Sequence, residues 1–133
     1  MPESKTMERQ IKRPPFAAPH VFALAIIDGR DVTSIHRLNA SETVLGRGDS
    51  ADIAIDDDEI SKSHCVIRVD SGVCSLLDLK SLNGTRLNDR PLREGMAQRL
   101  RHLDEVQIGD TRLLFLCGRF KQVTQSSVPP QKS

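Results

Sequence analysis

The chain has 133 residues, which is enough for one domain to close a core without metals or disulfides. Its 19 basic and 18 acidic residues are well mixed and leave a net charge of +1, which disfavours nucleic acid and anionic membrane surfaces as partners. The longest apolar run, Val21 to Ile27, is much too short to cross a bilayer, so we expect no membrane insertion.

The cysteines indicate a reduced environment. Cys65, Cys74 and Cys117 are odd in number and lack C-x-x-C spacing, and no apolar signal segment opens the chain. These features predict a cytoplasmic protein. His64 and Cys65 are neighbours on a predicted strand and point to opposite faces, which makes them poor ligands for one ion. We therefore expect no metal site and no cofactor.

The first half of the chain alternates between strand and turn signals. Residues 1–19 hold four prolines among mixed charges and predict a flexible N-terminal arm. The run from Val21 predicts a buried strand, and a hairpin turn follows at Asp28-Gly29. A less regular return strand is predicted at 32–38, a third strand at 43–47 and a short fourth strand at 52–55. The consecutive acids Asp56 to Glu59 predict a solvated loop.

The second half continues the same pattern. Residues 64–69 predict a strand with Cys65, Ile67 and Val69 on one face, and residues 73–79 form its predicted hairpin partner. Pro91 is expected at a sheet edge. Further short strands are predicted at 85–87, 96–100, 106–108 and 112–116. Ten to eleven short strands without a long helix predict an all-β fold, a β-sandwich over residues 20–118 with a flexible tail at 119–133.

Three polar clusters occur where predicted strands run into loops: Gly46-Arg47, Ser61-x-x-His64 and Asn83-Gly84. Brought together, they would supply a guanidinium, a hydroxyl, an amide and backbone N–H groups. This set is rich in donors and poor in bases, which suits binding an anionic group better than breaking a bond. The sequence therefore predicts a phosphate site.

Each cluster also has a simpler interpretation. Arg47 alone could be a solvated surface charge, and Asn83-Gly84 is a common turn dipeptide. Ser61 beside His64 could suggest a nucleophile, but nothing resembles G-x-S-x-G and no oxyanion hole is indicated. A structural role for His64 is favoured, with its ring hydrogen-bonded to loop backbone so that Ser61 is held outward.

In this order, and within one all-β pattern, the clusters resemble the forkhead-associated (FHA) domain of the bacterial single-domain type. The resemblance covers Val21 to Leu116, and its core reads LGRGDSADIAIDDDEISKSHCVIRVDSG followed by LLDLKSLNGTRLN. It implies an SMAD/FHA-like β-sandwich that recognises phosphothreonine in partner proteins.

The resemblance also implies roles for individual residues. Arg47 and Ser61 would contact the phosphate and Asn83 the peptide backbone, while Gly46, His64 and Gly84 would shape the loops. Leu82 departs from the family, which often has Thr or another polar residue there. Lys62 stands where Asn or Arg is frequent, and we expect it to compensate as a point charge. The loop with Glu59 would favour a basic residue a few positions after the phosphothreonine.

The predicted function is phosphothreonine-dependent peptide binding without catalysis, in regulated protein–protein interactions downstream of Ser/Thr kinases. Expected partners are a phosphothreonine-containing protein and a kinase or its substrates. One alternative is phosphate-independent interaction or self-association through the sheet face away from the loops. Another is an N-terminal regulatory module of a longer signalling enzyme. Thr6 and Thr124, if phosphorylated, could dock into these loops in the same chain or in a second copy.

Overall fold

A computed structural model describes residues 20–119, apart from the side chain of Arg119. The predicted arms, with Thr6 and Thr124, lie outside the described residues except for Arg119, and the predicted domain boundaries stay a prediction. Residues Val21 to Gly118 form one compact unit. No helix long and apolar enough to cross a membrane occurs within residues 20–119.

Eleven strands and no helix make up the regular structure of the described residues. The strands are β1 (His20–Asp28), β2 (Asp31–Arg37), β3 (Glu42–Gly46), β4 (Ile53–Ala54), β5 (Cys65–Asp70), β6 (Val73–Asp78), β7 (Thr85–Leu87), β8 (Arg90–Pro91), β9 (Gln98–Leu100), β10 (Glu105–Ile108) and β11 (Thr111–Arg119). They form a five-stranded sheet in the order β9-β6-β5-β3-β4 and a six-stranded sheet in the order β2-β1-β11-β10-β7-β8. The all-β sandwich predicted from the sequence is confirmed.

Side chains from both sheets pack into one aliphatic core. The members with almost no exposed surface include Leu24, Leu45, Ile67, Leu76, Ile108 and Leu113. Phe22 and Phe115 stack with their ring centroids 6.0 Å apart. The three cysteines form no disulfide. Burial raises the pKa of Cys65 to about 12 and that of Cys74 to about 11, so both thiols stay protonated and act as packing groups.

The strand register brings the three polar clusters to the same end of the strands in the five-stranded sheet. Leu45 in β3 pairs with Cys65 in β5, and Cys65 pairs with Asp78 in β6. Because both pairings are antiparallel, the chain leaves β3, enters β5 and leaves β6 at the same end of the sheet. The loops that follow β3, precede β5 and follow β6 must therefore meet there.

Candidate functional site

Gly46 allows two of these loops to touch. A Cβ atom at this position would lie 2.0 Å from the backbone oxygen of Lys62 and 3.1 Å from that of Ser61. Only a residue without a side chain fits such an approach. The next two backbone N–H groups, of Arg47 and Gly48, donate to the Ser61 and Lys62 carbonyl oxygens at 3.0 and 3.3 Å. The β3–β4 loop is thus joined to the segment before β5.

Arg47 is exposed, but its guanidinium is anchored at one nitrogen. Its Nε donates to the backbone oxygen of Ile60 at 2.9 Å. The two terminal nitrogens, Nη1 and Nη2, have no partner among residues 20–119. The two terminal N–H groups, which can bind two oxygens at once, are therefore open to solvent. The Nε bond fixes the direction in which they point.

His64 lies at the centre of the site with none of its surface exposed. Its Nδ1 accepts from the Ser61 backbone N–H at 3.0 Å, which fixes the proton on Nε2, and Nε2 donates to the Gly84 carbonyl oxygen at 2.8 Å. The His64 backbone N–H donates to the Leu45 carbonyl oxygen at 2.8 Å. One buried ring therefore connects the loop before β5 to the loop before β7.

Ser61 keeps its hydroxyl proton available. Its Oγ accepts from the backbone N–H of Leu82 at 2.9 Å and makes no other hydrogen bond among the described residues. Because an accepting lone pair is used, the hydroxyl proton is free to donate to a ligand. The backbone N–H of Lys62 also has no acceptor within residues 20–119. Two donors thus stand side by side in the chain near Arg47.

Asn83 has its amide nitrogen occupied and its amide oxygen open. Nδ2 donates to the backbone oxygen of Glu59 at 2.9 Å and to the Glu59 carboxylate at 3.1 Å. Oδ1 has no donor partner among the described residues. The free group is therefore an acceptor, suited to a backbone N–H of an extended peptide.

Lys62 and Leu82 are both exposed at the site. The Lys62 side chain lies against Gly48, whose added Cβ would meet the lysine Cβ at 3.1 Å, and the ammonium forms no ion pair with any described residue. Leu82 is 88% exposed, and only its backbone N–H takes part in the loop contacts. Its apolar side chain offers no hydrogen bond to a phosphate.

Asp78, which the sequence reasoning missed, fixes the β6–β7 loop. Its carboxylate accepts from the Ser81 hydroxyl at 2.6 Å, the Ser81 N–H at 3.0 Å and the Thr85 hydroxyl at 2.6 Å. Burial tends to raise the pKa of Asp78, but these bonds outweigh it and lower the pKa below its ordinary value. An Asp three residues before a Ser is a sequence signal for a side-chain turn, and this spacing could have indicated the role of Asp78.

Asp57 likewise anchors the segment before Ser61. Its carboxylate accepts from the N–H of Glu59 at 2.9 Å, the N–H of Asp110 at 2.8 Å and the Thr111 hydroxyl at 2.8 Å. Burial tends to raise the pKa of Asp57, but these bonds lower it overall. The acids Asp56 to Glu59 lie in a loop as predicted, but Asp57 is half-buried, and two of its hydrogen-bond donors come from the turn between β10 and β11 and the start of β11.

Together these contacts bring all seven residues selected from the sequence into neighbouring loops at one end of the sandwich. Four face solvent or a neighbouring loop with unused polar groups or charge: Arg47, Ser61, Lys62 and Asn83. Three lie beneath and hold the loops together: Gly46, His64 and Gly84. The fold is thus a β-sandwich with a donor-rich cluster on adjacent loops at one end. This is the architecture of a phosphate-recognising interaction domain.

Comparison with known proteins specifies the class further. The sequence profile of the FHA domain matches residues 43–109, half of the chain, and the chain belongs to the FHA domain family. It is 40% identical over 81 residues to the oxoglutarate dehydrogenase inhibitor of Corynebacterium glutamicum, an alignment that covers 61% of this chain. It is 37% identical over 101 residues to the glycogen accumulation regulator GarA of Mycolicibacterium smegmatis, covering 75% of this chain.

The chain spans 54% and 62% of the lengths of these two relatives, respectively. Among solved structures, it is similar to an FHA domain from a structural and functional study of phosphothreonine-dependent FHA domain interactions. That similarity has a TM-score of 0.65 and 28% identity, and it covers 72% of this chain and 95% of the other.

Proposed function

We propose that this protein binds phosphothreonine peptides of partner proteins, with Arg47 and Ser61 on the phosphate and Asn83 on the peptide backbone. The observation that carries the proposal is the state of Arg47. Its guanidinium is anchored through Nε and keeps both terminal nitrogens unoccupied within the described residues, next to the donating hydroxyl of Ser61.

A peptide phosphate matches this set of donors. It carries close to two negative charges and three strong acceptor oxygens at neutral pH. The Arg47 guanidinium would bind two of these oxygens side by side, and the Ser61 hydroxyl and the Lys62 N–H would supply further donors. Each charge-assisted bond contributes about 1.5–3 kcal/mol net. The Lys62 ammonium, unpaired within residues 20–119, adds attraction as a mobile point charge.

The free Oδ1 of Asn83 supports binding of an extended backbone next to the phosphothreonine. A peptide N–H would bind Oδ1 without disturbing the loop. A peptide carbonyl would instead have to replace the Glu59 carboxylate on Nδ2. Ligand binding would then change the position of the Glu59 side chain, while the bond from Nδ2 to the Glu59 backbone oxygen persists.

A depression of about 260 Å³ beside Asn83 is our proposed source of sequence preference. It is lined by Glu59, Asn83, Gly84, Arg86, Gln107, Gly109 and Asp110. The carboxylates of Glu59 and Asp110 outnumber the single guanidinium of Arg86. A basic residue a few positions after the phosphothreonine is therefore favoured there.

We infer a regulatory protein that works in the cytoplasm, without catalytic activity of its own, downstream of a Ser/Thr kinase. The inhibitor and regulator relatives support a role in controlling other proteins through binding. Three cysteines without a disulfide agree with a reducing compartment. Phosphorylation of Thr6 or Thr124 would make the chain a ligand for its own loops or for those of a second copy.

Calorimetry with a degenerate phosphothreonine peptide library and its dephosphorylated counterpart tests the proposal. We expect saturable binding of the phosphorylated library alone, and selection of peptides with a basic residue after the phosphothreonine. Arg47→Ala is expected to weaken binding by about 2–5 kcal/mol. Arg30→Ala, in the β1–β2 turn, is the matched control and should bind as the wild type does.

Equal binding of both libraries would contradict the proposal and favour a phosphate-independent interaction domain. Equal affinity of the wild type and Arg47→Ala would also contradict it. Absence of any charge preference in the selected peptides would remove the assignment of Glu59 alone.

A further inference from the structure

A second concave surface lies between two edge strands, one from each sheet. β8 is the last strand of the six-stranded sheet, β9 is the last strand of the five-stranded sheet, and residues 92–97 cross from one to the other. Between them is a cleft of about 840 Å³, here called the side cleft. It is lined by Leu87, Asn88, Arg90, Pro91, Leu92, Arg93, Met96 and Gln98, and it shares no residue with the site described above.

The apolar part of the side cleft's lining, here called its floor, is made by Leu87, Leu92 and Met96, and backbone bonds fix the shape of the cleft. Leu87 is buried in the core, Leu92 packs against the core from outside, and Met96 is 56% exposed. The Leu92 N–H donates to the Thr85 carbonyl oxygen at 2.8 Å, and the Met96 N–H donates to that of Arg93 at 3.1 Å. Preformed clefts of this size with an adaptable methionine are typical of binding surfaces.

The rim of the side cleft carries arginines without partners. Arg90 and Arg93 make no ion pair or side-chain hydrogen bond with any of residues 20–119, although Asp89 and Glu94 are their neighbours in sequence. By contrast, the exposed Arg68 and Arg112 are paired with the carboxylates of Glu42 and Glu105. Arginine and methionine are among the residues enriched at protein interfaces.

The charge around the cleft is concentrated compared with the rest of the protein. The lining of the side cleft carries two arginines, Arg90 and Arg93, and no carboxylate, whereas the whole chain is balanced at 19 basic and 18 acidic residues. Arg99 and Arg101 also have no side-chain partner among the described residues. This local excess of positive charge specifies an anionic occupant.

The chemistry of the side cleft favours a protein segment from another molecule as its occupant. The two arms of this chain are themselves basic, with four basic and two acidic residues in 1–19, and two basic and no acidic residues in 120–133. Neither arm complements the rim. No aromatic side chain lines the cleft, so it has no platform on which nucleic-acid bases could stack. The apolar floor instead matches the aliphatic side chains of a peptide.

We propose that the side cleft binds an acidic, extended segment of a partner protein without any need for phosphorylation. Carboxylates of the segment contact Arg90 and Arg93 on the rim, and an aliphatic side chain covers Leu92 and Met96 on the floor. The protein then has two recognition surfaces of different chemistry, one for a phosphate and one for carboxylates.

The test uses amide-shift titration of the full chain with unphosphorylated ten-residue peptides that contain four fixed glutamates. The control peptides carry glutamine at the same four positions. We expect the glutamate peptides to shift the amides of residues 88–98 and to leave those of Arg47 and Ser61 unchanged. The double variant Arg90→Gln/Arg93→Gln should bind about tenfold more weakly.

The matched control is Arg30→Gln/Arg68→Gln, which removes the same charge from exposed positions outside the cleft and should weaken binding by less than about twofold. Equal weakening by both double variants would reduce the effect to net charge and overturn the proposal. Equal binding of glutamine peptides, or no shift at residues 88–98 at millimolar glutamate peptide, would also overturn it. So would tighter binding of a ten-residue oligothymidylate in the same cleft.

Discussion

The imidazole of His64 and the carbonyl oxygen of Gly84, twenty residues apart in the chain, are joined by a partly buried 2.8 Å hydrogen bond. The other ring nitrogen of His64 accepts from the Ser61 backbone N–H. A single side chain with no exposed surface therefore holds together the two loops that carry the hydroxyl and the amide of the proposed phosphopeptide site. The integrity of the site depends on this ring more than on any exposed residue.

Replacing His64 with alanine is expected to lower the free energy of unfolding by about 2–5 kcal/mol. The variant leaves the Ser61 N–H and the Gly84 carbonyl without partners and opens a cavity at a fully buried position. Urea unfolding measures the change. His36→Ala, at a half-buried position on the edge strand β2, is the control and should cost less than about 1 kcal/mol. Equal losses in both variants would contradict the central position given to His64.

Gly46→Ala is expected to damage both stability and phosphopeptide binding. The new methyl group would lie 2.0 Å from the Lys62 carbonyl oxygen, so the loops around Arg47 must separate. The cost in unfolding free energy is about 1–3 kcal/mol or more. Gly118→Ala is the matched control, since its methyl group would meet no atom within 4 Å. Similar unfolding midpoints for the two variants would show that the loop contact at Gly46 is dispensable.

Leu82→Thr is expected to tighten phosphothreonine-peptide binding by about 1 kcal/mol. The exposed leucine offers no hydrogen bond, whereas a threonine hydroxyl beside Ser61 can donate to the phosphate. Leu82→Val has the shape of threonine without the hydroxyl and should give no gain. Calorimetry with one phosphopeptide separates the two variants. If valine and threonine bind equally tightly, position 82 does not face the phosphate.

Acid is expected to destabilise the domain through Asp57 and Asp78. Hydrogen bonds lower the pKa of both carboxyl groups below the ordinary value of 3.8, so their stabilising effect is complete above that pH. It is lost as the pH falls through the lower pKa values of the folded state. Unfolding midpoints should therefore be steady from about pH 7 to 5 and decrease below about pH 4.

Asp57→Asn is expected to be less stable at neutral pH and to lose less stability on acidification than the wild type. Asp28→Asn is the control, because its exposed carboxylate has no hydrogen-bond partner among the described residues. Its pH dependence should match that of the wild type. A wild-type acid response in Asp57→Asn would mean that another group controls the transition.

The strands could largely be predicted because alternating polarity and turn residues are local signals. Residues 64–69, for example, are predicted as a strand and form β5 at Cys65–Asp70. The last strand is longer than the predicted 112–116 and runs from Thr111 to Arg119. In the six-stranded sheet this strand lies next to β1, a strand from the other end of the sequence. Such pairing overrides local propensity, and no short window of sequence contains it.

The candidate site could be assembled from sequence only in part. The order of the polar clusters predicted that Arg47, Ser61 and Asn83 lie in adjacent loops, and their binding roles stay a prediction. The supporting carboxylate of Asp57 could not be predicted, since its donors lie 53 and 54 residues away, at Asp110 and Thr111. The direction of the Asn83 amide could not be predicted from the sequence either, because it depends on contacts with Glu59 in another loop.

An amide-shift titration of the full chain with one phosphothreonine peptide and its unphosphorylated form tests whether Arg47, Ser61 and Asn83 form one phosphopeptide site. If the phosphopeptide site is as proposed, the amide signals of Arg47, Ser61 and Asn83 will move together, saturate with one dissociation constant, and not respond to the unphosphorylated peptide. Shifts confined to other surfaces while these three signals remain still would contradict it.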